Sequence, residues 1–216
     1  MAEQESKTQS TPDAVLDAAI DLFIDAGFET TSMDAIAAKA GVAKGTLYYH
    51  FKSKEGIVEA IVERYVVTAE KAFSDIVEDR AKDPMGKLKA VSEKMTELNI
   101  ASFSKLHRMK YIDIHMRTQK AMVTRFAPFY ARILEEGNEA GLWNAKGPLE
   151  LAEIFIAANS FLFDPECSGM TSEKLVIAMN DLMAKALGLE DKQLSPVFAS
   201  FIQYVRKASP GSAGEK

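Results

Sequence analysis

The chain has 216 residues, of which 47% are hydrophobic and 26% are charged, and these values are ordinary for a globular protein with a sizeable core. Its one cysteine, Cys167, excludes an intramolecular disulfide and favours a reducing, cytoplasmic setting. No apolar run approaches the roughly 20 residues of a membrane span. The first ten residues are polar, so we expect no signal peptide there.

The first predicted helix starts near Pro12, which suits a first helical turn, and ends at Gly27. Its apolar residues recur at helical spacing and predict a buried face: Val15, Leu16, Ala19, Ile20 and Phe23. Four aspartates recur every four residues, which places them in one stripe that we expect to face solvent: Asp13, Asp17, Asp21 and Asp25. Residues 1–11 are expected to be a disordered tail.

Two short helices are predicted next, at about residues 32–39 and 43–50, with a tight turn at Gly41 between them. Gly41 follows an apolar-periodic run, where a helix ends in a left-handed residue that glycine adopts without strain. Thr31 is the expected cap of the first of these helices, with Asp34 returning the contact. Leu47 and Phe51 would seat the second helix on a core. This pattern predicts a helix-turn-helix, although a helical hairpin with a solvated face has the same pattern.

The charges near this turn give two opposite indications. Between Ala35 and Lys54 the sequence holds four lysines and no carboxylate, which concentrates positive charge in one window. Residues 1–64 nevertheless hold 6 Lys and Arg against 11 Asp and Glu, a balance that equals the formal net charge of −5 for the whole chain. We therefore expect binding to DNA of arbitrary sequence to be weak.

A longer motif carries a resemblance to a known family. It reads Thr30-Thr31, then Ile36-Ala37-x-x-Ala40-Gly41-Val42-x-x-Gly45-Thr46-Leu47-Tyr48-Tyr49-His50-Phe51-x-Ser53-Lys54-Glu55, with Ala18-Ala19-x-x-Leu22-Phe23-x-x-x-Gly27-Phe28 upstream. This segment, about residues 12–62, resembles the DNA-binding domain of the TetR family of transcriptional regulators. The chain departs from the family pattern at Pro12, where Arg often stands, and at Ala43, where a capping Ser often stands.

The resemblance implies an all-α fold of about nine to ten helices, with a three-helix helix-turn-helix domain followed by a helical bundle for ligand binding and dimerisation. We expect the DNA-binding domain at residues 12–60, the bundle at 61–207 and a second disordered tail at 208–216. The residues expected to face bases are Lys44, Gly45, Thr46 and Tyr48. Those expected to hold phosphates are Thr31, Ser32, Tyr49, His50 and Lys54.

The rest of the chain reads as helices. Ser53 is the expected cap of a long helix at about 54–80, and Pro84 and Gly86 are expected to break the chain. Further helices are predicted from residue 86 to Phe103, from Leu106 to Met116, at 121–140 with an interruption at Pro128, at 149–163, at 171–187 and, as a short one, at 195–207.

Two of these helices, 149–163 and 171–187, are apolar around much of their surface, which indicates burial in a monomer core or against a partner. A helix-turn-helix usually binds two half-sites, so we favour a homodimer, and the resemblance implies a four-helix interface from these helices. The expected interface residues are Leu149, Ala152, Phe155, Ile156, Leu175, Met179 and Leu182.

The middle of the chain is rich in methionine and aromatic residues, which suits a cavity for an apolar or aromatic molecule. The candidate ligand contacts are Phe103, His107, Tyr111, Met116, Phe126, Phe129, Tyr130, Asn159 and Phe163. His107 and His115 do not share a helical face, and the sequence has no metal-hydrolase, phosphate-loop or nucleophile-elbow motif. We therefore expect no enzyme activity, no metal and no cofactor.

The sequence thus predicts a cytoplasmic homodimeric regulator that binds a palindromic double-stranded operator and a small-molecule effector. Repression is the favoured mode. A transcriptional activator of the same build remains an alternative, as does a helical ligand- or partner-binding protein that has lost its affinity for DNA.

Overall fold

The structure is a computed structural model that describes residues 10–98, 108–109, 111–162 and 172–208. Throughout these ranges the regular elements are helices, which confirms the all-α prediction. Phe103, His107 and Phe163, three of the expected ligand contacts, lie outside the described residues, as do Cys167 and the expected tail residues 1–9 and 209–216.

Three short helices form the N-terminal part: α1, Thr11–Asp25; α2, Met33–Ala40; and α3, Lys44–His50. Ser10 caps α1 by accepting from the Asp13 amide, and a proline lies in its first turn. Gly41 adopts the expected left-handed conformation, with φ of 68°, and turns the chain sharply from α2 into α3. Leu47 is fully buried and seats α3 on α1 and α2, as predicted.

Helix α4, Lys54–Glu78, continues from this unit into the rest of the protein. Ser53 caps it by accepting from the Gly56 amide at 3.2 Å, as predicted. One face of α4 is buried along the whole length, from Ile57 to Val77. The predicted domain boundary at residues 60 and 61 falls inside this single helix, and the division into two domains stays a prediction.

Six further helices and one π-helical turn follow in the described residues. They are α5, Pro84–Leu98; α6, Ile112–Ala121; the π turn, Met122–Phe126; α7, Ala127–Glu139; α8, Pro148–Leu162; α9, Glu173–Leu187; and α10, Asp191–Ala208. Helices α6 and α7 run continuously through the π turn, and Ser172 caps α9 while Gly188 ends it in a left-handed conformation.

Prolines caused three errors in the predicted boundaries. Pro84 is the first residue of α5 and so starts a helix, because a first-turn residue needs no amide hydrogen. Pro128 lies in the first turn of α7, and the irregularity precedes it as the π turn. Pro196 lies inside α10, which begins four residues earlier than predicted and is 18 residues long.

The core is one continuous cluster that runs from α1 to α10. Phe73 on α4 lies at its centre, with the rings of Phe126, Phe129 and Tyr130 around it at centroid distances of 4.9 to 6.1 Å. Among the residues that the structure describes, no helix combines the length and the apolar character needed to cross a membrane.

Candidate nucleic-acid interface

Helix α3 turns one residue inward and presents the others to solvent. Leu47 is inaccessible, whereas the flanking residues are exposed: Lys44, Gly45, Thr46, Tyr48, Tyr49 and His50. Tyr49 is 78% exposed, and its ring meets the His50 ring edge-on at a centroid distance of 5.1 Å. The helix therefore offers a lysine, a hydroxyl, two phenols and an imidazole on its surface, and these groups suit phosphates and base edges.

The start of α3 lacks a side-chain cap, because Ala43 occupies the capping position and makes no such hydrogen bond. This agrees with the departure from the family pattern at that residue. A lost serine cap costs a helix about 1 kcal/mol, so α3 depends on the burial of Leu47 for its stability.

Lys44, in the first turn of α3, forms an ion pair with Asp34 in the first turn of α2. Its ammonium donates to the Asp34 carboxylate at 2.6 Å, and both side chains are more than half exposed. This hydrogen bond, followed by the charge of the carboxylate, raises the pKa of Lys44. Sequence reasoning gave Asp34 a capping role and missed this contact, because the two residues are ten positions apart and meet only through the turn at Gly41.

Lys54 has a structural role that the sequence did not reveal. Its ammonium donates to the backbone carbonyls of Phe28 at 2.6 Å and Glu29 at 3.1 Å, and it lies 4.5 Å from the centroid of the Phe28 ring. Lys54 therefore fastens the start of α4 to the turn after α1. Two of its three donors are engaged in these contacts, and the expected phosphate contact stays a prediction for the third.

Thr31 is the clearest error among the expected DNA contacts. Its side chain is 4% exposed, and its hydroxyl donates to the Gly27 carbonyl at 2.7 Å. Its amide donates to the Phe28 carbonyl, so neither group is directed at a ligand. Ser32 is the true cap of α2, accepting from the Ala35 amide at 3.1 Å, and it is exposed as expected.

The aspartate stripe on α1 is partly neutralised by cations from neighbouring helices. Asp17 accepts from Arg64 on α4 at 2.8 Å, and Asp21 pairs with Lys39 on α2 at 3.3 Å. These contacts join the three helices and leave the net charge of the region unchanged, because both cations are already counted in its balance.

Helices α6 and α7 lie alongside α4 and are joined to it by three arginines. Arg117 donates to Glu59 at 2.5 Å, and Arg132 donates to Glu78 at 2.5 Å. Between them Arg125 donates to both Glu63 and Glu70, and these contacts raise its pKa. We call this set the arginine ladder: Arg117, Arg125 and Arg132 with Glu59, Glu63, Glu70 and Glu78.

A stacked ring pair also joins the two parts of the chain. Tyr111, just before α6, stacks on Phe28 with a centroid distance of 3.9 Å and an interplanar angle of 14°. Burial raises the pKa of its phenol. Tyr111 therefore contacts the helix-turn-helix unit directly, and its role as a ligand contact stays a prediction.

A small cavity of about 30 Å³ lies among α5, α7, α8, α9 and α10. Its walls are apolar except for the hydroxyls of Ser92 and Tyr130. Burial raises the pKa of Tyr130, so this phenol stays neutral. The other lining residues are Leu88, Leu134, Ala152, Phe155, Met183, Leu187, Leu194, Val197 and Phe198.

Of the predicted ligand contacts within the described residues, Tyr130 alone lines this cavity. Phe126 and Phe129 pack on Phe73 in the core, and Met116 is exposed. The Asn159 amide donates to the Phe155 carbonyl one turn earlier in its own helix. The wall residues of α5 and α10 were missed because an apolar stripe looks the same whether it faces a core or a cavity.

The expected dimer residues divide into two groups. Ala152, Ile156 and Met179 are buried inside the protomer and so are not available to a partner, whereas Phe155 is half-buried and lines the cavity. Leu149 and Leu182 are exposed, and Leu175 is half-buried. We call the exposed apolar residues of α8 and α9 together the α8–α9 face: Leu149, Ile154, Ala157, Phe161, Ile177, Ala178, Leu182 and Ala186.

Two family models match the chain. The model for bacterial regulatory proteins of the tetR family matches residues 15–61, and the model for the tetracyclin repressor-like C-terminal domain matches residues 94–184. The first covers α1 to α3 and the first turns of α4. Together the two models cover more than half of the chain.

Individual proteins show the same relationship. The chain is 33% identical over 118 residues to the HTH-type transcriptional repressor KstR2 of Mycolicibacterium smegmatis, covering 54% of each protein. It is 39% identical over 62 residues to the HTH-type transcriptional regulator UidR of Escherichia coli, covering 29% of this chain and 32% of UidR. The matched segment thus spans about half the length of one relative and about a third of the other.

The fold agrees with that of solved structures. The fatty acid degradation regulator FadR from Bacillus halodurans superposes with a TM-score of 0.60 at 16% identity, covering 97% of this chain and all of that one. This likeness extends the agreement in fold beyond the segments matched in sequence. The chain is a member of the tetR family of bacterial regulatory proteins.

Proposed function

We propose that this chain is a DNA-binding transcriptional regulator that works as a homodimer and represses its target until a small apolar molecule releases it. The observation that carries the proposal is the exposed surface of α3, built around the buried anchor Leu47 in a helix-turn-helix frame. Family membership argues against an enzyme, as the sequence predicted. A regulator of bacterial chromosomal DNA acts in the cytoplasm.

The residues of α3 divide by position into two groups. Lys44, Gly45, Thr46 and Tyr48 lie on the exposed part of the helix that would meet base edges in the major groove. Tyr49, His50 and the capping hydroxyl of Ser32 are exposed beside them and would bind phosphates. Lys54 supports this surface through the Phe28 carbonyl and adds a donor near its edge.

Dimerisation through the α8–α9 face would bring together the two helix-turn-helix units that an operator with two half-sites requires. Ile154 is 67% exposed and Leu182 is 62% exposed, and their apolar faces gain free energy when a partner covers them. A two-fold dimer presents its α3 helices to two half-sites of a palindromic operator, spaced by about 34–36 Å or a multiple of that distance.

The residues that line the cavity indicate the chemical character of the effector. The described residues that line it carry no charge, and two of them carry hydroxyls, so the cavity, once widened by movement of its side chains, would suit a neutral apolar or aromatic molecule with one or two polar groups. A movement of α6 and α7 would be transmitted to α4 through the arginine ladder, and to the helix-turn-helix unit through the Phe28–Tyr111 stack. Repression is favoured because KstR2, a relative, is described as a repressor.

Selection from random double-stranded DNA, followed by footprinting, tests the proposal. We expect a palindrome with two half-sites to be enriched and protected. Tyr49→Ala should weaken binding to every sequence, because it removes a phosphate contact at little cost to the fold, whereas Lys44→Ala should change which sequence is preferred. Failure to enrich any palindrome would support the alternative of a helical binding protein that has lost DNA affinity, which the acidic N-terminal balance favours. Mapping the operator relative to the promoter separates repressor from activator.

A further inference from the structure

The basic window of the sequence is interrupted in space by an acidic residue. The sequence between Ala35 and Lys54 is free of carboxylates, yet the fold brings Asp34 to within 2.6 Å of the Lys44 ammonium. Because α2 and α3 are joined by the tight turn at Gly41, the first turns of the two helices come together. Asp34 thus lies beside the residue at the start of the proposed reading helix.

The other lysines of the window are held in different ways. Lys39 pairs with Asp21 at 3.3 Å, on the side of the unit formed by α1 and α2. Lys52 donates to the Tyr48 carbonyl at 2.9 Å, and Lys54 donates to the carbonyls of Phe28 and Glu29. Of these four lysines, Lys44 alone combines a carboxylate partner with a position on α3.

A carboxylate at this position has different effects on the binding of Lys44 to the two kinds of DNA acceptor, the phosphates and the base edges. A phosphate that approaches Lys44 must replace Asp34 as its partner and is repelled by the negative charge that stays nearby. A guanine edge offers neutral acceptors at O6 and N7, and an ammonium with three donors can bind them while it keeps its contact with Asp34.

We propose that Asp34 is a specificity-determining residue, which holds the Lys44 ammonium in place for base edges and opposes its use by phosphates of arbitrary sequence. The inference rests on the proposed function, since it needs a protein that prefers one DNA sequence. It explains how a helix-turn-helix with few free cations would have its affinity for random DNA lowered more than its affinity for the operator.

Asp34→Asn tests the inference, with Asp21→Asn as the matched control, because both substitutions remove a carboxylate that pairs with an exposed lysine. Dissociation constants would be measured by fluorescence anisotropy over a range of salt concentrations, for the selected operator and for a scrambled duplex of the same length. We expect Asp34→Asn to tighten binding to the scrambled duplex by about tenfold at low salt, and to steepen its salt dependence by about one phosphate per protomer. Operator affinity should rise less, so the preference for operator should fall.

Two further variants complete the design. In the background Lys44→Ala, the substitution Asp34→Asn should no longer lower the preference for operator, because the pair is already broken. Asp34→Ser, which keeps a side-chain acceptor in the first turn of α2, should reproduce the effect of Asp34→Asn, and circular dichroism checks that each variant folds.

The outcomes separate the inference from the proposed function. If Asp34→Asn tightens both duplexes by the same factor, as Asp21→Asn is expected to do, Asp34 contributes only general charge and the inference is wrong. If the wild-type chain binds both duplexes equally well, the proposed function fails and the inference fails with it.

Discussion

At the scale of single residues, substitution of Gly45 should change the stability of the fold and the affinity for operator in opposite directions. A Cβ atom at this position meets nothing within 4 Å, and the residue is exposed on α3. Gly45→Ala should therefore stabilise the fold, by up to about 1 kcal/mol, because alanine favours the helix. The same methyl group stands where we propose that the backbone approaches base edges, so operator affinity should fall by about tenfold.

Thermal unfolding and fluorescence anisotropy measure these two effects on one sample. Unchanged operator affinity in Gly45→Ala would show that the backbone of α3 does not come close to DNA.

Gly137 gives the opposite case, since it is required by packing alone. An added Cβ would lie 1.9 Å from two atoms of the Trp143 ring, whose Nε1 donates to the Leu134 carbonyl at 2.8 Å. Gly137→Ala should therefore displace the indole and destabilise the fold by about 3 kcal/mol. Urea unfolding would measure the loss, and the emission of the single tryptophan should shift to longer wavelength. Gly45→Ala is the control; an equal loss of stability in both variants would contradict the packing argument.

Some residues could be assigned from the sequence because one local interaction decides them. Gly41 and Ser53 are of this kind, since a left-handed helix end needs glycine and a helix start needs a small acceptor. Thr31 and Ser32 could not be told apart as caps of α2, because both have a suitable hydroxyl. The choice depends on the turn at Gly27, whose carbonyl accepts from Thr31 and draws that side chain inside.

At the scale of elements, the arginine ladder makes α4 and the α6–α7 pair behave as one unit. Arg125 matters most here because it bridges Glu63 and Glu70, two carboxylates that lie about two turns apart on α4. Arg125→Met should lower the free energy of unfolding by about 1 kcal/mol, because both carboxylates lose their cation at a partly exposed site. The loss should shrink at high salt, where exposed charges are screened.

Urea unfolding at two salt concentrations checks this prediction. Lys89→Met is a suitable control, because Lys89 makes a longer, exposed contact of 3.9 Å with Glu93 inside its own helix and should cost little. A loss in Arg125→Met that does not depend on salt would assign the effect to packing.

The helices themselves were predictable to within a few residues where an apolar stripe and a cap coincide, as at α4 and α9. The start of α10 was missed by four residues and Pro84 was expected to break the chain, because each case depends on how a proline is accommodated. Pro84 could have been recognised as a helix start, since Asp83 precedes it and its carboxylate accepts from the Gly86 amide at 2.7 Å. Nothing local in the sequence indicates the π turn at Met122–Phe126.

At the scale of the whole molecule, the α8–α9 face sets the assembly that we propose. Leu182→Glu places a charge among apolar side chains that a partner would cover, so it should convert the dimer to a monomer. Operator affinity should then fall by two orders of magnitude or more, because the second half-site no longer adds to binding. Size-exclusion chromatography with light scattering gives the mass of the assembly.

Val67→Glu serves as the control for this prediction, since Val67 is 49% exposed but belongs to α4 and lies outside the α8–α9 face. A chain that stays dimeric after Leu182→Glu would place the subunit contact elsewhere on the surface.

The sequence predicts that α8 and α9 are the helices for association, and several of the residues it names lie on the inward side of these helices. Ala152, Ile156 and Met179 are as apolar as Ile154 and Ile177, and only the packing of α7 and α10 decides which of them are covered within one protomer. A helix that is apolar on both sides carries no signal for which side faces inward.

The position of helix α10 at the end of the described chain determines the effect of a truncating mutation in this gene. Leu194, Val197 and Phe198 build one wall of the cavity, and they lie after every residue that we assign to DNA or to the α8–α9 face. A premature stop codon just after Glu190 would remove these residues together with Val205, all of which belong to the continuous core, and would expose the packed faces of α5 and α9 to water. Cells that carry such a truncation would therefore lack a stably folded regulator, and under the proposed repression the target genes would be expressed whether or not the inducing molecule is present.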